Sequence, residues 1–247
     1  MKDIWIVCKK GLKELIGARG GRRDFLIQIT ILAGVFGFFP LSQKEIWMEG
    51  TMPVVFFSMI PLFSASGVVA DSFAGERERK TLETLLATRL PDRAIFLGKV
   101  ISALIYAWAF TVLSMITSLV GINLAKDTPG IYLYPSSVFL FGLVGSILTG
   151  LLISGVGVFI SLRASSVREA QQMLVVPMWV LFMAIGFGLP ALANVLPESV
   201  RQQLLRWLAM INPTLFGIGL LMTLAIVDTV LLILGIRRFQ RTRLILD

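Results

Sequence analysis

The chain has 247 residues, of which 56% are hydrophobic and 15% charged, with a formal net charge of +8 and a mean hydropathy of +0.83. Soluble domains carry roughly 25% charged residues, and a core of this size cannot hide so much apolar surface from water, so lipid has to be the second solvent. The absence of histidine and a single cysteine, Cys8, exclude intrachain disulfides and the usual His/Cys metal clusters, and the basic excess lies between apolar runs, where it marks topology rather than a nucleic-acid partner.

In chain order, residues 4–16 come first. Ile4, Trp5, Cys8, Leu12, Leu15 and Ile16 share one helical face, with Lys2, Lys9, Lys10 and Lys13 on the other. This pattern predicts an interfacial helix within the segment 1–24, lying on the cytoplasmic leaflet with its lysines toward anionic lipid. Cys8 in this basic setting reads as a free, structurally incidental thiol. The first apolar run begins only at Phe25, after a long charged segment, and Pro40-Leu41-Ser42 is not a small-residue cleavage site, so no cleavable leader is expected.

Six apolar runs follow, near Phe25–Leu41, Met52–Val69, Ala94–Leu119, Ser136–Leu162, Met173–Leu196 and Pro213–Ile236. A helix needs about 20 residues to cross the hydrocarbon core. The runs are continuous rather than alternating, which predicts helices and not a β-barrel. The first run is short for a span. In the fifth, Pro190 and the Gly186/Gly188 pair weaken helical regularity. Lys and Arg fix the orientation: seven precede the first span, six lie between the second and third, two between the fourth and fifth, and four follow the sixth, against four on the opposite side. The basic side is therefore cytoplasmic, with both termini there and an even number of crossings. The expected fold is all-α: one polytopic domain over 1–247 with six transmembrane helices, a cytoplasmic loop at 70–93 and an outer-face helical segment at 190–212. In the last of these, Val200, Leu204, Trp207, Leu208 and Ile211 form an apolar stripe bounded by Pro197 and Pro213.

The chain is not expected to be an enzyme. It has no Gly-x-x-x-x-Gly-Lys-Ser/Thr loop, no His-Glu-x-x-His site and no Ser-His pair. Intramembrane aspartyl chemistry needs two carboxyls, and only Asp228 lies in a span. An ionisable residue at such a depth is expensive; its readings are a cation or polar-substrate site, or a helix contact. In the fourth run Gly142, Ser146, Gly150 and Ser154 recur every four residues, with Gly157 and Ser161 on a nearby register. Such a row permits close helix packing within the subunit, or toward a substrate path or a second copy.

The most informative stretch is Asp71–Lys99, between the second and third runs. Glu76 and Lys80 are spaced as an i,i+4 pair in the favourable order. Leu82, Leu85, Leu86 and Leu90 form a stripe, and Pro91 then stops the helix. This segment resembles the cytoplasmic signature of ABC-2-type transporter permeases, a Glu-Arg-Glu-x-x-Thr-Leu-Glu-x-Leu-Leu pattern followed by a turn, a basic residue and Gly-Lys. Its elements here are Glu76, Arg77, Glu78, Thr81, Leu82, Glu83, Leu85, Leu86, Pro91, Arg93, Gly98 and Lys99. The family's proline directly after Thr88 is replaced by Arg89, and the proline comes two residues later.

The resemblance implies an ATP-driven exporter subunit of a prokaryotic cytoplasmic membrane. The helix after the second span would be a coupling helix seated in a separate ATP-binding subunit, which carries the ATP and Mg. Glu76, Arg77, Glu78, Arg79, Lys80, Thr81 and Glu83 would contact that partner, while the leucine face grips the chain's own N-terminal helix. Arg163, Arg168 and Glu169 would make a second, smaller contact. A second permease, identical or related, would complete the path. A secondary transporter or channel working alone is the alternative, and a non-transporting scaffold a third. No convincing internal repeat and the single intramembrane acid argue against the transporter. The substrate is not legible; apolar and small residues with Met and Phe suit lipid, hydrophobic drug or peptide.

Overall fold

Apolar runs of this length form helices because a backbone in lipid must satisfy its own hydrogen bonds. In a computed structural model of the chain, the described residues are 2–17, 27, 30–31, 34–35, 38, 40–42, 44–48, 51–125, 130–210 and 212–238, and no strand occurs among them. The main helices are α1 (Lys2–Gly17), α2 (Lys44–Met48), α3 (Thr51–Glu78), α4 (Leu82–Leu86), α5 (Asp92–Ala125), α6 (Ser136–Arg163), α7 (Val167–Met183), α8 (Leu189–Val195), α9 (Glu198–Met210) and α10 (Pro213–Arg238). Four of these, over Met52–Glu78, Asp92–Ala125, Ser136–Arg163 and Thr214–Arg237, are long and apolar enough to cross a membrane.

The expected second and third spans are parts of longer helices. α3 runs on to Glu78, and α5 begins already at Asp92. At 34 residues α5 is about 51 Å long, well beyond a hydrocarbon core of about 30 Å. The fifth run is helical from Val167 to Val195 but is interrupted by a π-helical turn, Ala184–Gly188, at the Gly186/Gly188 pair. The run near Phe25–Leu41 lies largely outside the described residues; of those described, Ile27, Ile31, Val35 and Phe38 are exposed.

Close contacts fix the helix directions. Ser58, Pro61, Val69 and Ala70 of α3 meet Gly145, Gly150, Gly157 and Ser161 of α6, so the two helices run parallel. Phe141, Gly145 and Gly155 of α6 meet Gly217, Leu221 and Leu231 of α10, again in parallel. α5 is antiparallel to α6, with Met115 at Gly142, Leu104 at Gly150 and Phe96 beside Phe159. α7 is antiparallel to α3, with Gln171 at Gly67 and Trp179 against Phe63. The small-residue row of α6 is thus the seam of the bundle. A methyl on Gly150 would lie 2.7 Å from Leu104 Cδ1, and one on Gly142 would lie 2.9 Å from Met115 Cε.

Two buried apolar clusters mark the ends of the bundle. One, around Phe73, Ile95, Phe96, Val158 and Leu174, lies toward the end that carries Arg77, Arg79, Arg163 and Arg168, hereafter the basic end. The other joins Trp47, Phe57, Phe110 and Tyr134 at the far end. There Trp47 Nε1 donates to Tyr134 Oη at 2.8 Å, and Ser118 Oγ lies 2.6 Å from the same oxygen. α1 packs on the first turns of α5 at the basic end, where Gly98 and Gly11 let the two backbones approach: a methyl on Gly98 would fall 2.6 Å from Val7 Cβ. The buried stripe of α1 is accordingly Val7 and Cys8, whereas Trp5 and Ile6 are 60% and 58% exposed. This corrects the expected apolar face by part of a turn. Leu15 and Ile16 lie in α1, but their side chains are outside the described set.

Candidate functional site

The motif Glu76–Glu83 occupies the last turn of α3 and the turn into α4. α3 ends because Lys80 takes a left-handed backbone conformation, φ 56°. Lys80 N then bonds Arg77 O at 3.0 Å, and Thr81 N bonds Glu76 O at 2.9 Å. This turn corrects the expected Glu76–Lys80 pair. Once the helix stops at Glu78, i,i+4 geometry no longer holds, and a different lysine takes the role.

That lysine is Lys99. Its ammonium lies 3.1 Å from Glu76 Oε1, with the two side chains 8% and 2% exposed. Lys10 of α1 approaches the same oxygen at 3.7 Å, and the Thr81 hydroxyl donates to Oε2. Lys99 also lies over the Phe73 ring, 5.8 Å from its centre. A buried carboxylate is tolerable only when so paired and hydrogen-bonded. Glu76 therefore ties α3, α5, α1 and the α4 turn together.

The next two residues reach the other way. The Arg77 guanidinium donates to Leu162 O at 2.8 Å and to Ala164 O. These belong to the C-terminal turn of α6, whose carbonyls have no partner within the helix and favour a cation. Glu78 Oε1 accepts from Val167 N at 2.8 Å, the first N–H of α7, where a helix favours an anion. Arg79 folds back on Asp71, Nη1 to Oδ1 3.2 Å, across Gly75, which has no side chain in the way.

Of the sequence-predicted contact residues, then, Glu76 faces inward, Arg77 is half-buried, and Glu78 is exposed but engaged. Arg79, Lys80, Thr81 and Glu83 present the exposed surface, with Thr84 beside them. Leu85 is buried, and Leu82 and Leu90 pack on the same basic-end cluster. Between α1, α4 and the start of α5 lies an open crevice of about 230 Å³ that includes Ile6, Lys10, Thr84, Leu85, Leu90 and Lys99.

The second predicted contact divides similarly. Arg163 and Arg168 are exposed. Glu169 caps α7: its Oε2 accepts from Ser165 N at 2.8 Å and from the Ser165 hydroxyl, while Ser166 Oγ accepts from Glu169 N at 3.2 Å. The hydroxyl and amide of Ser165 hold the Glu169 carboxyl below its ordinary range. Cys8 is fully buried, and burial pushes its thiol up.

Asp228 lies on α10, 3% exposed, and neither oxygen has a hydrogen-bond partner among the described residues. It is far from the motif, between the Leu221 and Leu231 contacts with α6. Gly142, Ser146, Gly150 and Ser154 are all buried on α6. Among the described residues no three acidic or cysteine side chains group as metal ligands would.

Sequence reasoning missed two participants. Lys99 was visible only as a motif letter; its service as the counter-ion of Glu76 depends on the end of α3 packing beside the first turns of α5. Ser161, which looked like a packing residue, is fully buried and bonds into α3. Its Oγ accepts from Phe73 N at 3.0 Å and Ala74 N at 2.9 Å and donates to Ala70 O at 2.8 Å.

Comparison with known proteins adds an independent line. The family model described as ABC-2 type transporter matches residues 2–226. The chain is also similar to the ABC transporter permease protein NatB of Bacillus subtilis (strain 168), at 29% identity over 148 residues, which cover 54% of this chain and 38% of that protein. The chain thus matches well under half the length of this curated relative.

Proposed function

We propose a function from one premise: the chain belongs to the ABC-2 type transporter family. It is an integral membrane protein of the permease type, the membrane subunit of an ABC transporter. The finer reading is an ATP-driven exporter subunit that pairs with a second permease, identical or related, and lines the path between them. ATP and Mg belong to a separate ATP-binding subunit, and this chain supplies the coupling segment. The membrane is the cytoplasmic membrane of a prokaryote, with both termini inside.

Six crossings are supported by where chain ends lie. α1 packs at the Gly98–Ser102 level of α5, whereas Trp47 packs at the Ser118–Tyr134 level, about 24 Å away along that helix. The chain between residues 17 and 47 joins these two ends. Likewise α6 and α10 run parallel, so the intervening chain returns across the bundle, as the Val167–Val195 run does.

The observation that carries the coupling role is the motif itself. An exposed charged turn, Arg79–Thr84, leads into α4 from the last turn of α3, where Glu76, Arg77 and Glu78 are bonded to α1, α5, α6 and α7. Force applied there reaches those four helices directly. The test reverses exposed charges and spares the buried pair: Lys80→Glu with Glu83→Lys. The tagged wild-type chain, purified from native membranes, retains a protein with a Walker ATP-binding loop and measurable ATP hydrolysis, and the double variant loses it at unchanged expression. Equal retention by the double variant refutes this contact, and a wild-type chain that holds no ATPase refutes the reading.

A further inference from the structure

Three internal anchors hold the C-terminal part of α3, two of them aimed at helix termini, and no sequence motif requires that. Arg77 caps the C-terminus of α6, Glu78 caps the N-terminus of α7, and Ser161 of α6 enters the α3 backbone ladder. The Ser161 hydroxyl is saturated: it accepts two N–H groups and donates once, to Ala70 O. Phe73 and Ala74, whose N–H groups it takes, are fully buried, so water cannot replace it. A side chain inserted into the i→i−4 ladder is a recognised site of helix bending. Here the insertion falls one turn before the Arg77 and Glu78 contacts. Bending at residues 70–74 would separate the coupling turn from the span, and the Arg77 and Glu78 contacts one turn beyond oppose it.

We propose that Arg77, Glu78 and Ser161 are positioning residues for transport: they lock the basic-end halves of α3, α6 and α7 into one rigid lever, so that displacement of the exposed turn is delivered to the far ends of these helices. This deepens the coupling role and rests on that reading for its second arm only. The lever has a chemical logic. Arg77 is a forked donor satisfying two carbonyls at once, which a lysine ammonium reproduces only in part. Glu78 adds an anion at a helix N-terminus, and the two bonds flank the link 164–166 between α6 and α7. Without them the α3 end is attached to α6 through the Ser161 hydroxyl and apolar contact. Glu76 and Lys99 serve a different joint, the one to α5.

The test uses spin labels on a Cys8→Ala background. Thr84→Cys on α4 and Arg168→Cys on α7 are both exposed. In the purified permease in lipid nanodiscs, this pair gives one narrow distance distribution. Arg77→Gln with Glu78→Gln broadens it severalfold, and Arg77→Lys alone recovers an intermediate width. In the second arm the permease is bound to its ATP-binding subunit, and single labels at Thr84 and at Leu140, exposed at the far end of α6, are read without nucleotide and with ATP plus vanadate. Both spectra change in the wild type. In Arg77→Gln and in Ser161→Ala the Thr84 spectrum still changes and the Leu140 spectrum does not. A merely structural role would not split the two labels. An unchanged Thr84–Arg168 width in the first arm, or a Leu140 response that survives both substitutions, overturns the lever. If no ATP-binding subunit associates with the wild type, the coupling reading fails, and the first arm by itself decides the lock.

Discussion

Replacing both members of the Glu76–Lys99 pair should destabilise the protein by less than the sum of the two single replacements. At 3.1 Å two unit charges attract by about 5 kcal/mol at an effective dielectric of about 20. Desolvation of both groups offsets much of that, so the intact pair adds little net stability, whereas a stranded buried charge costs about 3–5 kcal/mol. The two single variants are not equivalent. Lys99→Met leaves Glu76 with the Thr81 hydroxyl and with Lys10 at 3.7 Å, and Lys10 is 53% exposed, so its help is weakened by solvent. Glu76→Gln leaves an ammonium that is 8% exposed, held only by an amide oxygen and the Phe73 ring. Both therefore fall toward the lower end of the range, about 3 kcal/mol, with Glu76→Gln the worse. The double variant Glu76→Gln/Lys99→Met should recover about 2–3 kcal/mol relative to the sum of the singles, the usual coupling of directly bonded residues. The assay is a double-mutant cycle from reversible unfolding in mixed detergent–SDS micelles, read by tryptophan fluorescence. Additive losses, or single variants within about 0.5 kcal/mol of wild type, would refute the reasoning, because either result means that Glu76 reaches water.

Three further outcomes follow from other contacts. Gly98→Ala forces a methyl to 2.6 Å from Val7 Cβ, so α1 must lift from α5; a loss of about 1–3 kcal/mol and faster amide exchange in α1 are expected, and unchanged exchange would contradict that packing. Because hydrogen bonds from Ser165 depress the Glu169 carboxyl, its cap is fully present above the ordinary glutamate range and is lost as pH falls through the depressed folded value; the protection of the Ser165 amide against exchange, relative to its intrinsic rate at each pH, should fall in acid, and a Glu169→Gln variant should not show that pH dependence. Asp228→Leu removes a buried carboxyl without a partner among the described residues and should stabilise the protein by about 1–3 kcal/mol; unchanged transport by Asp228→Asn, at matched expression, would retire a functional role for this residue.

The layout of the bundle was legible because its cause is one-dimensional. Lipid demands long apolar runs, and charge bias orients them, so the positions of α3, α5, α6 and α10 follow from composition alone. Their ends were not legible. Hydropathy stops at the last apolar residue, but α3 continues through Asp71, Glu76, Arg77 and Glu78, because those charges find partners on neighbouring chain segments. α1 was placed correctly as a helix but rotated. The hydrophobic period counts Trp5 as core-facing, whereas the contact is set by Gly11 and Gly98, which have no hydrophobicity to register.

The motif shows the same limit from the other side. Its letters were readable, and a charged surface helix is the natural inference from Glu-Arg-Glu-Arg-Lys. What a sequence cannot express is that charge next to a helix end has an internal use. Arg77 and Glu78 lie one residue apart, yet they meet a C-terminus and an N-terminus, the two places where an unpaired backbone attracts a cation and an anion respectively. The link 164–166 brings those two termini within reach of one turn of α3. The alternation of sign in the motif therefore matches the alternation of helix polarity at that link. Exchanging the charges of Arg77 and Glu78 while keeping composition should thus do more damage than neutralising both, since each terminus would then face a like charge. Comparing the unfolding midpoints of Arg77→Glu/Glu78→Arg and Arg77→Gln/Glu78→Gln settles this, and equal midpoints would mean that the alternation has no internal cause and belongs to the partner-facing surface.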